Sequence, residues 1–203
     1  MIITMTEVAN NPNTFTRVIQ LNNGEKVIFR PLLSTDPNNL AFFLKGLSKE
    51  TRKLSTFDGY DFNTAKELCN AINMYDKLRF VIENESNVIV GLIELSFGFP
   101  ESDLKRYSQA GHIINPETTL RFGPTLADNY QNIGLGSKVF SYIVEIVKQF
   151  GKQNIILWGG VLEDNKRAIH YYEKQGFRIV GTFTNNHIKH LDMMLNMNDY
   201  LHN

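Results

Sequence analysis

The chain has 203 residues, and its 21 basic side chains balance 21 acidic ones, so its formal net charge is zero. That balance gives no global positive field to gather nucleic acid or anionic lipid, and no apolar run approaches the ~20 residues that span a bilayer. We therefore expect a soluble protein without nucleic-acid or membrane partners. Cys69 is the only cysteine, which excludes an intrachain disulfide and fits a reducing, cytoplasmic compartment.

The first predicted elements are a polar N-terminal segment, a strand and a helix. The N-terminus "MIITMTEVANNPNTF" lacks the basic region and apolar block of a signal peptide. Its first dozen or so residues end in "NNPN" and predict a loose tail or an added edge segment. The run from Lys26 to Leu32 favours a strand after the turn signal "NNG". Asp36 before Pro37 predicts a helix start. The stripe of that helix is Leu40, Phe43, Leu44 and Leu47.

A second helix and a β-hairpin follow. The segment "NTAKELCNAINMYDKL" predicts a helix that Asn63 or Thr64 caps. Its apolar stripe is Leu68, Ala71, Ile72 and Tyr75. The β-rich runs "RFVIEN" and "NVIVGLIELSF" flank the polar "ESN", a pattern that is typical of a hairpin.

The C-terminal half alternates strands and helices. "TTLRFGPTL" predicts a strand in which Pro124 marks an edge, a bulge or a splay. Helices are predicted from Gly134 to Phe150 and over "NKRAIHYYEKQG", which Gly176 closes. "NIILWGGV", "FRIVGTF" and "HLDMMLNM" predict strands. This order favours an α/β sheet with helices on its faces. Residues 98–117 form a long polar excursion of the kind that is usually functional, partner-binding or mobile.

The glycine-rich turn "QNIGLGS" stands between a predicted strand and a predicted helix. The first turn of a helix presents unpaired amides and the positive end of the helix dipole, so it binds phosphate if no side chain blocks the approach. Gly134 and Gly136 would clear that approach, and Gln131 could add a side-chain donor. A tight turn without a ligand explains the same glycines equally well. The spacing fits neither a Walker loop nor the dinucleotide fingerprint.

A second pattern lies further on, in "NKRAIHYYEKQGF". Asn165 can cap this helix, and Ala168, Ile169 and Tyr172 share one of its faces. With both patterns in this order, the sequence resembles the GNAT superfamily of acyl-CoA-dependent N-acetyltransferases. That family carries R/Q-x-x-G-x-G/A in its pyrophosphate loop and N-x-x-A-x-x-x-Y-x-x-x-G-F downstream, and this chain matches both.

The resemblance extends from about Lys26 to Met197 and implies the GNAT fold. That fold is a mixed, mostly antiparallel central sheet with helices on both faces and one splayed parallel strand pair. It implies a single N-acetyltransferase domain over residues 1–203, with residues 1–24 as an N-terminal extension and 98–117 as an excursion between strands. The chain looks most like the subgroup of ribosomal-protein and spermidine acetyltransferases.

The resemblance also implies roles for individual residues. Backbone amides of the pyrophosphate loop would hold coenzyme A, and Leu126 would meet the pantetheine and the thioester carbonyl. Pro124 and Thr125 would accompany the strand splay, Asn165 would contact the cofactor, and Tyr172 would protonate the departing thiolate. The loop residues are Gln131, Asn132, Ile133, Gly134, Gly136 and Ser137. We expect no metal, because acetyl transfer needs none and the histidines show no ligand spacing.

The general base is the weak point of the match. Arg121 occupies the place where related enzymes often carry glutamate, and a cation cannot accept a proton. Glu94 is the candidate base, its alternative being a solvated carboxylate on the open face of the sheet. His112 is a second candidate or an ordinary loop histidine. Arg121 itself would attract an acidic acceptor or, as the safer prediction, pair with a carboxylate inside the chain.

The function implied is acetyl transfer from acetyl-CoA to a primary amine of a small molecule or a protein. Aromatic residues between Leu54 and Phe62 would line the acceptor pocket or pack the early helices. The missing glutamate keeps open a non-catalytic acyl-CoA-binding regulator, and a nucleotide-binding module is the third interpretation. A homodimer through the excursion or the final strands is also compatible with the sequence.

Overall fold

A computed structural model of the chain describes residues 2–55, 57–71 and 76–200. The strands are β1 Arg17–Gln20, β2 Lys26–Pro31, β3 Lys77–Asn84, β4 Ile89–Ser96, β5 Thr119–Leu126, β6 Asn154–Leu157, β7 Val161–Leu162, β8 Arg178–Asn185 and β9 Ile188–Asn196. The helices are α1 Met5–Asn10, α2 Pro37–Gly46, α3 Lys49–Leu54, α4 Phe62–Asn70, α5 Glu101–Gln109, α6 Leu135–Gln149, α7 Lys166–Lys174 and α8 Met197–Tyr200. None of the helices in these ranges has both the length and the apolar composition needed to cross a membrane.

All strands belong to one mixed sheet. Its order is β1-β2-β3-β4-β5-β6-β9-β7, and β8 pairs with β9. Among the described strands, β5 and β6 are the one parallel pair. The predicted mostly antiparallel sheet with a parallel strand pair is therefore confirmed.

Helices cover both faces of the sheet, and strand register assigns each residue to a face. Leu120 on β5 lies opposite Ile155 on β6, and both belong to the main core beneath α6. We call this side the α6 face. The next residue along β6, Ile156, packs against Tyr107 of α5 on the other side, the α5 face. The helices α2 and α4 cover the same side over β3 and β4.

The N-terminal segment is packed against the core, so it is not a loose tail, and its first dozen residues contain a helix rather than an added strand at the sheet edge. Thr4 and Glu7 form a capping box that starts α1, with the Thr4 amide donating to Glu7 Oε2 at 2.7 Å. Val8 and Phe15 are both 2% exposed in the main core. β1 then pairs with β2 at the edge of the sheet. Buried apolar side chains fix this segment.

The helix α4 differs from its prediction at its start. Asp61 caps it by accepting a hydrogen bond from the Thr64 amide at 3.0 Å, so neither Asn63 nor Thr64 is the cap. An aspartate precedes both and reaches the third helical amide, which is the geometry that capping requires. Of the predicted stripe, Ile72 and Tyr75 lie outside the described residues.

The excursion at residues 98–117 contains α5, which was not predicted. Tyr107 on this helix is fully buried against Ile156 of β6. Arg106 donates to both carboxylate oxygens of Asp192 on β9, at 2.8 and 3.0 Å, and to Asp103 at 2.8 Å. The excursion is therefore a packed element of the α5 face.

Candidate active site

A cleft opens where β5 and β6 stop pairing. Their register ends at Phe122 opposite Leu157, and the Trp158 amide donates one further bond to the Phe122 carbonyl at 2.9 Å. Gly159 and Gly160 then adopt left-handed φ values of 72° and 67° and turn the chain away, while β5 continues beside β4. The sheet therefore splits just beyond Phe122.

Pro124 lies in this split. Of the three places predicted for it, an edge, a bulge or a splay, it therefore occupies the splay. Backbone groups along β5 point alternately toward β4 and away from it. The Ala127 amide donates to the Val90 carbonyl at 2.8 Å, so Pro124 and Leu126 point away from β4. Proline has no N–H, so no donor is left unpaired there. The Leu126 N–H faces the cleft, and no described residue accepts it.

The cleft has a volume of about 350 Å³ and brings most of the predicted site residues together. Those that line it are Pro124, Thr125, Leu126, Gln131, Asn132, Gly134, Gly136, Ser137, Asn165 and Tyr172. Two predicted residues do not line it: Ile133 packs its side chain against the main core, and Glu94 lies elsewhere on the sheet.

The predicted cofactor turn connects β5 to α6. Asn132 and Gly134 both have left-handed backbone, with φ of 62° and 84°. Within the described ranges, no group accepts a hydrogen bond from the amides of residues 132–137, and the Lys138 amide is the first to bond, to the Gly134 carbonyl at 3.2 Å. Unpaired amides at the positive end of a helix dipole bind phosphate. The turn is therefore preformed for an anion.

A glycine at position 136 also has a packing reason that the sequence did not reveal. A Cβ atom at this position would lie 3.3 Å from the Tyr171 ring, whose hydroxyl donates to the Gly136 carbonyl at 3.1 Å. One turn further along α7, Gln175 Nε2 donates to Ser137 Oγ at 3.1 Å. Close packing of α7 on the first turn of α6 therefore favours glycine at position 136, because any larger residue would push the Tyr171 ring away by a few tenths of an ångström.

The Gln131 side chain bonds within the protein rather than extending a free donor into the cleft. Its Nε2 donates to the Leu126 carbonyl at 2.9 Å and to Thr51 Oγ1 at 3.2 Å. Thr51 in turn donates to Asp128 Oδ1 at 2.7 Å. Burial raises the pKa of Asp128, but hydrogen bonds from Ser48 and Thr51 outweigh it and lower the pKa overall. This network ties α3 to the cofactor turn.

The helix α7 carries the other predicted functional residues. Asn165 caps it by accepting a hydrogen bond from the Ala168 amide at 3.1 Å, as predicted. The Tyr172 ring packs edge-on against Phe177, with centroids 5.5 Å apart. No described residue hydrogen-bonds to the Tyr172 hydroxyl, and burial raises the pKa of this phenol. At neutral pH Tyr172 is therefore a protonated donor beside the cleft.

A comparison with protein families identifies this cleft. Residues 48–177 match the acetyltransferase (GNAT) family, and this range contains the splay, the unpaired amides and Tyr172. The chain belongs to this family. It is therefore an enzyme that transfers an acetyl group from acetyl-CoA to an amine, and no comparison supports a non-catalytic regulator. No curated protein matches the sequence.

Solved structures share the fold of this acetyltransferase. The GNAT domain of S. lividans PAT is 14% identical, with a TM-score of 0.65 over 91% of this chain and 98% of that one. Spermidine N-acetyltransferase from Vibrio cholerae, in complex with CoA and spermine, is 20% identical, with a TM-score of 0.64 over 86% and 98%. A Vibrio cholerae–human chimera of that enzyme is 22% identical, with a TM-score of 0.63 over 87% and 99%.

The carboxylate of the predicted base in this acetyltransferase is paired. Glu94 is only 6% exposed on the α5 face, so it is not the solvated carboxylate that the sequence allowed. Its Oε1 accepts a hydrogen bond from Arg79 Nε at 2.7 Å. Arg79 NH1 is buried without a hydrogen-bond partner in the described structure. The role of Glu94 as general base stays a prediction. The Glu94 carboxylate, which would have to accept the proton, is already paired with the buried Arg79 guanidinium.

Arg121 pairs with a carboxylate inside the acetyltransferase chain, as the safer prediction held. Its NH1 donates to Asp103 Oδ2 at 3.4 Å, and its other nitrogens donate to Ser96 Oγ and the Gly98 carbonyl, both at 2.9 Å. The guanidinium also lies over the Trp158 ring, 4.6 Å from its centroid. Arg121 therefore fixes the start of the excursion to β5.

Sequence reasoning missed several residues that line the cleft. Lys53, Arg167 and His190 contribute the charged or ionisable groups that no motif had marked. No motif marks His190. Only the strand register between β7 and β9, which places His190 opposite Leu162 beside the split, brings it to the cleft. His112, the predicted alternative base, is not a lining residue. Among the described residues, no three His, Cys, Asp or Glu side chains group as a metal site.

The aromatic segment between α3 and α4 proves to be mainly packing. Leu54 lines the cleft, whereas Phe57 and Tyr60 pack against the core beneath α2 and α4. Their rings contact edge-on, with centroids 6.1 Å apart. Thr56 lies outside the described residues. Between the two interpretations left open, these contacts favour helix packing.

Proposed function

We propose that the enzyme binds acetyl-CoA with its diphosphate on the amides of residues 132–137 and its pantetheine in the split between β5 and β6. The unpaired amides of the cofactor turn carry this proposal. The Leu126 N–H faces the same cleft and would donate to the thioester carbonyl oxygen. A donor fixed at the oxygen where negative charge develops stabilises the tetrahedral intermediate. Asn165 would add a side-chain contact beside Arg167.

Tyr172 would act at the sulfur. Attack by a neutral amine on the thioester carbonyl gives a tetrahedral intermediate, and its collapse breaks the C–S bond. The Tyr172 hydroxyl gives its proton to the departing thiolate. It then takes a proton from the positively charged nitrogen of the acetylated amine, which leaves a neutral amide. Because burial raises the pKa of Tyr172, the phenol stays protonated until this transfer.

The amides can be tested by blocking their approach. Gly134→Val adds a branched side chain at a left-handed position, where its Cβ would lie in ordinary contact with Asn22 Nδ2 at 3.7 Å. Gly111→Val does the same at the identical φ of 84° outside the cleft, with no atom within 4 Å of the added Cβ. Each variant should lose about 1–3 kcal/mol of stability from backbone strain. We expect only Gly134→Val to weaken acetyl-CoA binding, by about tenfold or more, as measured by calorimetric titration. Equal affinities in the two variants would remove the amide turn from cofactor binding.

We propose that the acceptor is a primary monoamine of a small molecule or a protein N-terminus. The lining residues of the described cleft include no aspartate or glutamate, whereas a polycation such as spermidine is bound through carboxylates. The Vibrio cholerae structure contains spermine, but at 20% identity it shows the fold alone.

An amine panel tests both the reaction and the acceptor. With acetyl-CoA and each amine in turn, we expect steady release of the coenzyme A thiol and a higher kcat/KM for a monoamine than for spermidine. A preference for spermidine would contradict the acceptor class. Absence of thiol release with every amine would contradict catalysis itself and favour a binding protein.

We also propose that residues 1–203 form one N-acetyltransferase domain. Burial of Val8 and Phe15 supports this for the extension at residues 1–24, and burial of Tyr107 supports it for the excursion at residues 98–117. Balanced charge and a lone buried Cys69 support a cytoplasmic enzyme without nucleic-acid partners. A homodimer and the absence of a metal stay predictions.

A further inference from the structure

Among the cleft residues that the structure describes, one side chain is able to accept a proton at neutral pH. The ionisable groups of these residues are those of Lys53, Arg167, Tyr171, Tyr172 and His190. Lysine and arginine carry their protons at neutral pH. Burial raises the pKa of both phenols, so they act as donors. Imidazole changes charge near neutral pH and can take a proton in its neutral form.

His190 lies on the side of the sheet opposite to Tyr172. Its neighbour Leu191 packs in the main core on the α6 face, together with Val161 and Tyr172. Because successive side chains alternate along β9, His190 is on the α5 face, where it pairs with Leu162 across the strands. The amine attacks one face of the planar thioester carbonyl, so the base acts at the attacking nitrogen and the acid acts at the leaving sulfur, which are different atoms. His190 and the proposed acid Tyr172 lie on opposite faces of the sheet, so they can serve these two atoms separately.

No structural hydrogen bond accounts for this histidine. The ring stacks on Phe183 with centroids 4.9 Å apart and planes at 20°. Its Nδ1 is buried without a partner, and no described residue bonds to Nε2. A buried polar atom without a partner is uncommon in a folded protein, and a catalytic role is one of its recognised explanations, beside strain and an ordered water or ion. Stacking fixes the plane of the ring and leaves Nε2 as the nitrogen available to a substrate.

The charged groups around His190 are paired with one another. Arg106 of α5 lies 4.1 Å from the Phe183 ring centroid and bonds to Asp192, the next residue of β9 on the same face. Lys189 on β9 lies 3.8 Å from Glu163, the residue that follows β7. Both of these neighbouring cations are matched by a carboxylate, whereas Lys53 and Arg167 of the cleft lining form no ion pair in the described structure.

We propose that His190 is the general base of the acetyl transfer, an inference that depends on the function proposed above. Neutral His190 takes one proton from the substrate ammonium, R–NH3⁺, and becomes imidazolium, leaving R–NH2. The amine lone pair attacks the thioester carbon, the C–S bond breaks, and Tyr172 protonates the sulfur. The second nitrogen proton neutralises the tyrosinate, and His190 releases its proton to water. The products are the amide, coenzyme A thiol and one proton.

The shape of the pH profile tests this role. With the best amine of the panel, kcat/KM is measured from about pH 5.5 to 9.5 for the wild type, His190→Gln, Glu94→Gln and His112→Gln. A general base lets the enzyme use the protonated amine, which is the abundant form of the substrate at neutral pH. The kcat/KM of the wild type should therefore show a plateau through neutral pH. Without the base only the neutral amine reacts, so log kcat/KM of His190→Gln should rise with pH at unit slope up to the pKa of the amine.

The expected magnitudes separate a base from a structural residue. His190→Gln should be about 10²–10⁴-fold slower at neutral pH with unchanged acetyl-CoA affinity, a loss of turnover far larger than the loss of the aromatic contact with Phe183 explains. Free imidazole should restore part of the turnover of His190→Ala. His112→Gln should keep the plateau, because His112 does not line the cleft.

Three results would overturn the proposal while leaving the transferase function intact. They are a plateau retained in His190→Gln, a plateau lost only in Glu94→Gln, and loss of acetyl-CoA affinity in parallel with turnover. If the wild type itself releases no thiol with any amine, the proposed function fails first.

Discussion

Tyr172→Phe is expected to lower kcat about 10²–10⁴-fold, the usual contribution of a positioned general acid, while leaving acetyl-CoA affinity almost unchanged. The ring is packed between Tyr171 and Phe177, and phenylalanine fills the same space. The hydroxyl makes no bond to any described residue, so its removal breaks no internal contact. Rapid-quench turnover and calorimetric titration of acetyl-CoA measure the two quantities separately.

Tyr171→Phe is the matched control. Its hydroxyl donates to the Gly136 carbonyl, so its loss should weaken the cofactor turn by ~1 kcal/mol and reduce acetyl-CoA affinity about fivefold, with little change in the chemical step. Because burial raises the pKa of Tyr172, we also expect no alkaline loss of activity from this group below about pH 10. Equal kcat in wild type and Tyr172→Phe would remove Tyr172 from the mechanism.

Most of the sheet and the long helices could be predicted because their apolar periodicity is local. The strands β2 to β5 and the helices α2, α6 and α7 all fall where the patterns place them. The helix α3 was not predicted because it is short and charged. The hydroxyl of its cap residue Ser48 donates a hydrogen bond at 2.6 Å to the carboxylate of Asp128, which is distant in the sequence. The helix α1 has a start signal in the sequence, the Thr4–Glu7 capping box, but the polar residues around it hide the apolar pattern that would indicate a helix.

The site divides in the same way. The amide turn and Tyr172 could be predicted because motifs specify local backbone. What Gln131 and Tyr171 bond to could not, since their partners, Thr51 and Gly136, are brought close only by packing of α3 and α7. His190 could not be recognised either, because the face of the sheet to which it belongs depends on the register between β7 and β9. Local pattern therefore predicts the residues of the proposed cofactor half of the cleft better than those of its proposed acceptor half.

Asp192→Asn is expected to cost about 3 kcal/mol of unfolding free energy, the lower end for breaking a buried ion pair. Asp192 is 1% exposed and accepts two hydrogen bonds from Arg106, so neutralising it leaves a largely buried guanidinium with Asp103 as its remaining partner. Urea unfolding measures the loss. Asp199→Asn, which breaks the exposed pair with Arg178, should cost less than ~1 kcal/mol.

The same substitution connects the fold to the proposed base. Arg106 contacts the Phe183 ring on which His190 stacks, so releasing Arg106 from Asp192 loosens the support beneath the imidazole. At a temperature where Asp192→Asn stays folded, we expect its turnover to fall while acetyl-CoA affinity, which depends on the opposite face, is retained. If stability drops and turnover per folded molecule does not, the network only anchors α5, and the position of His190 does not depend on it.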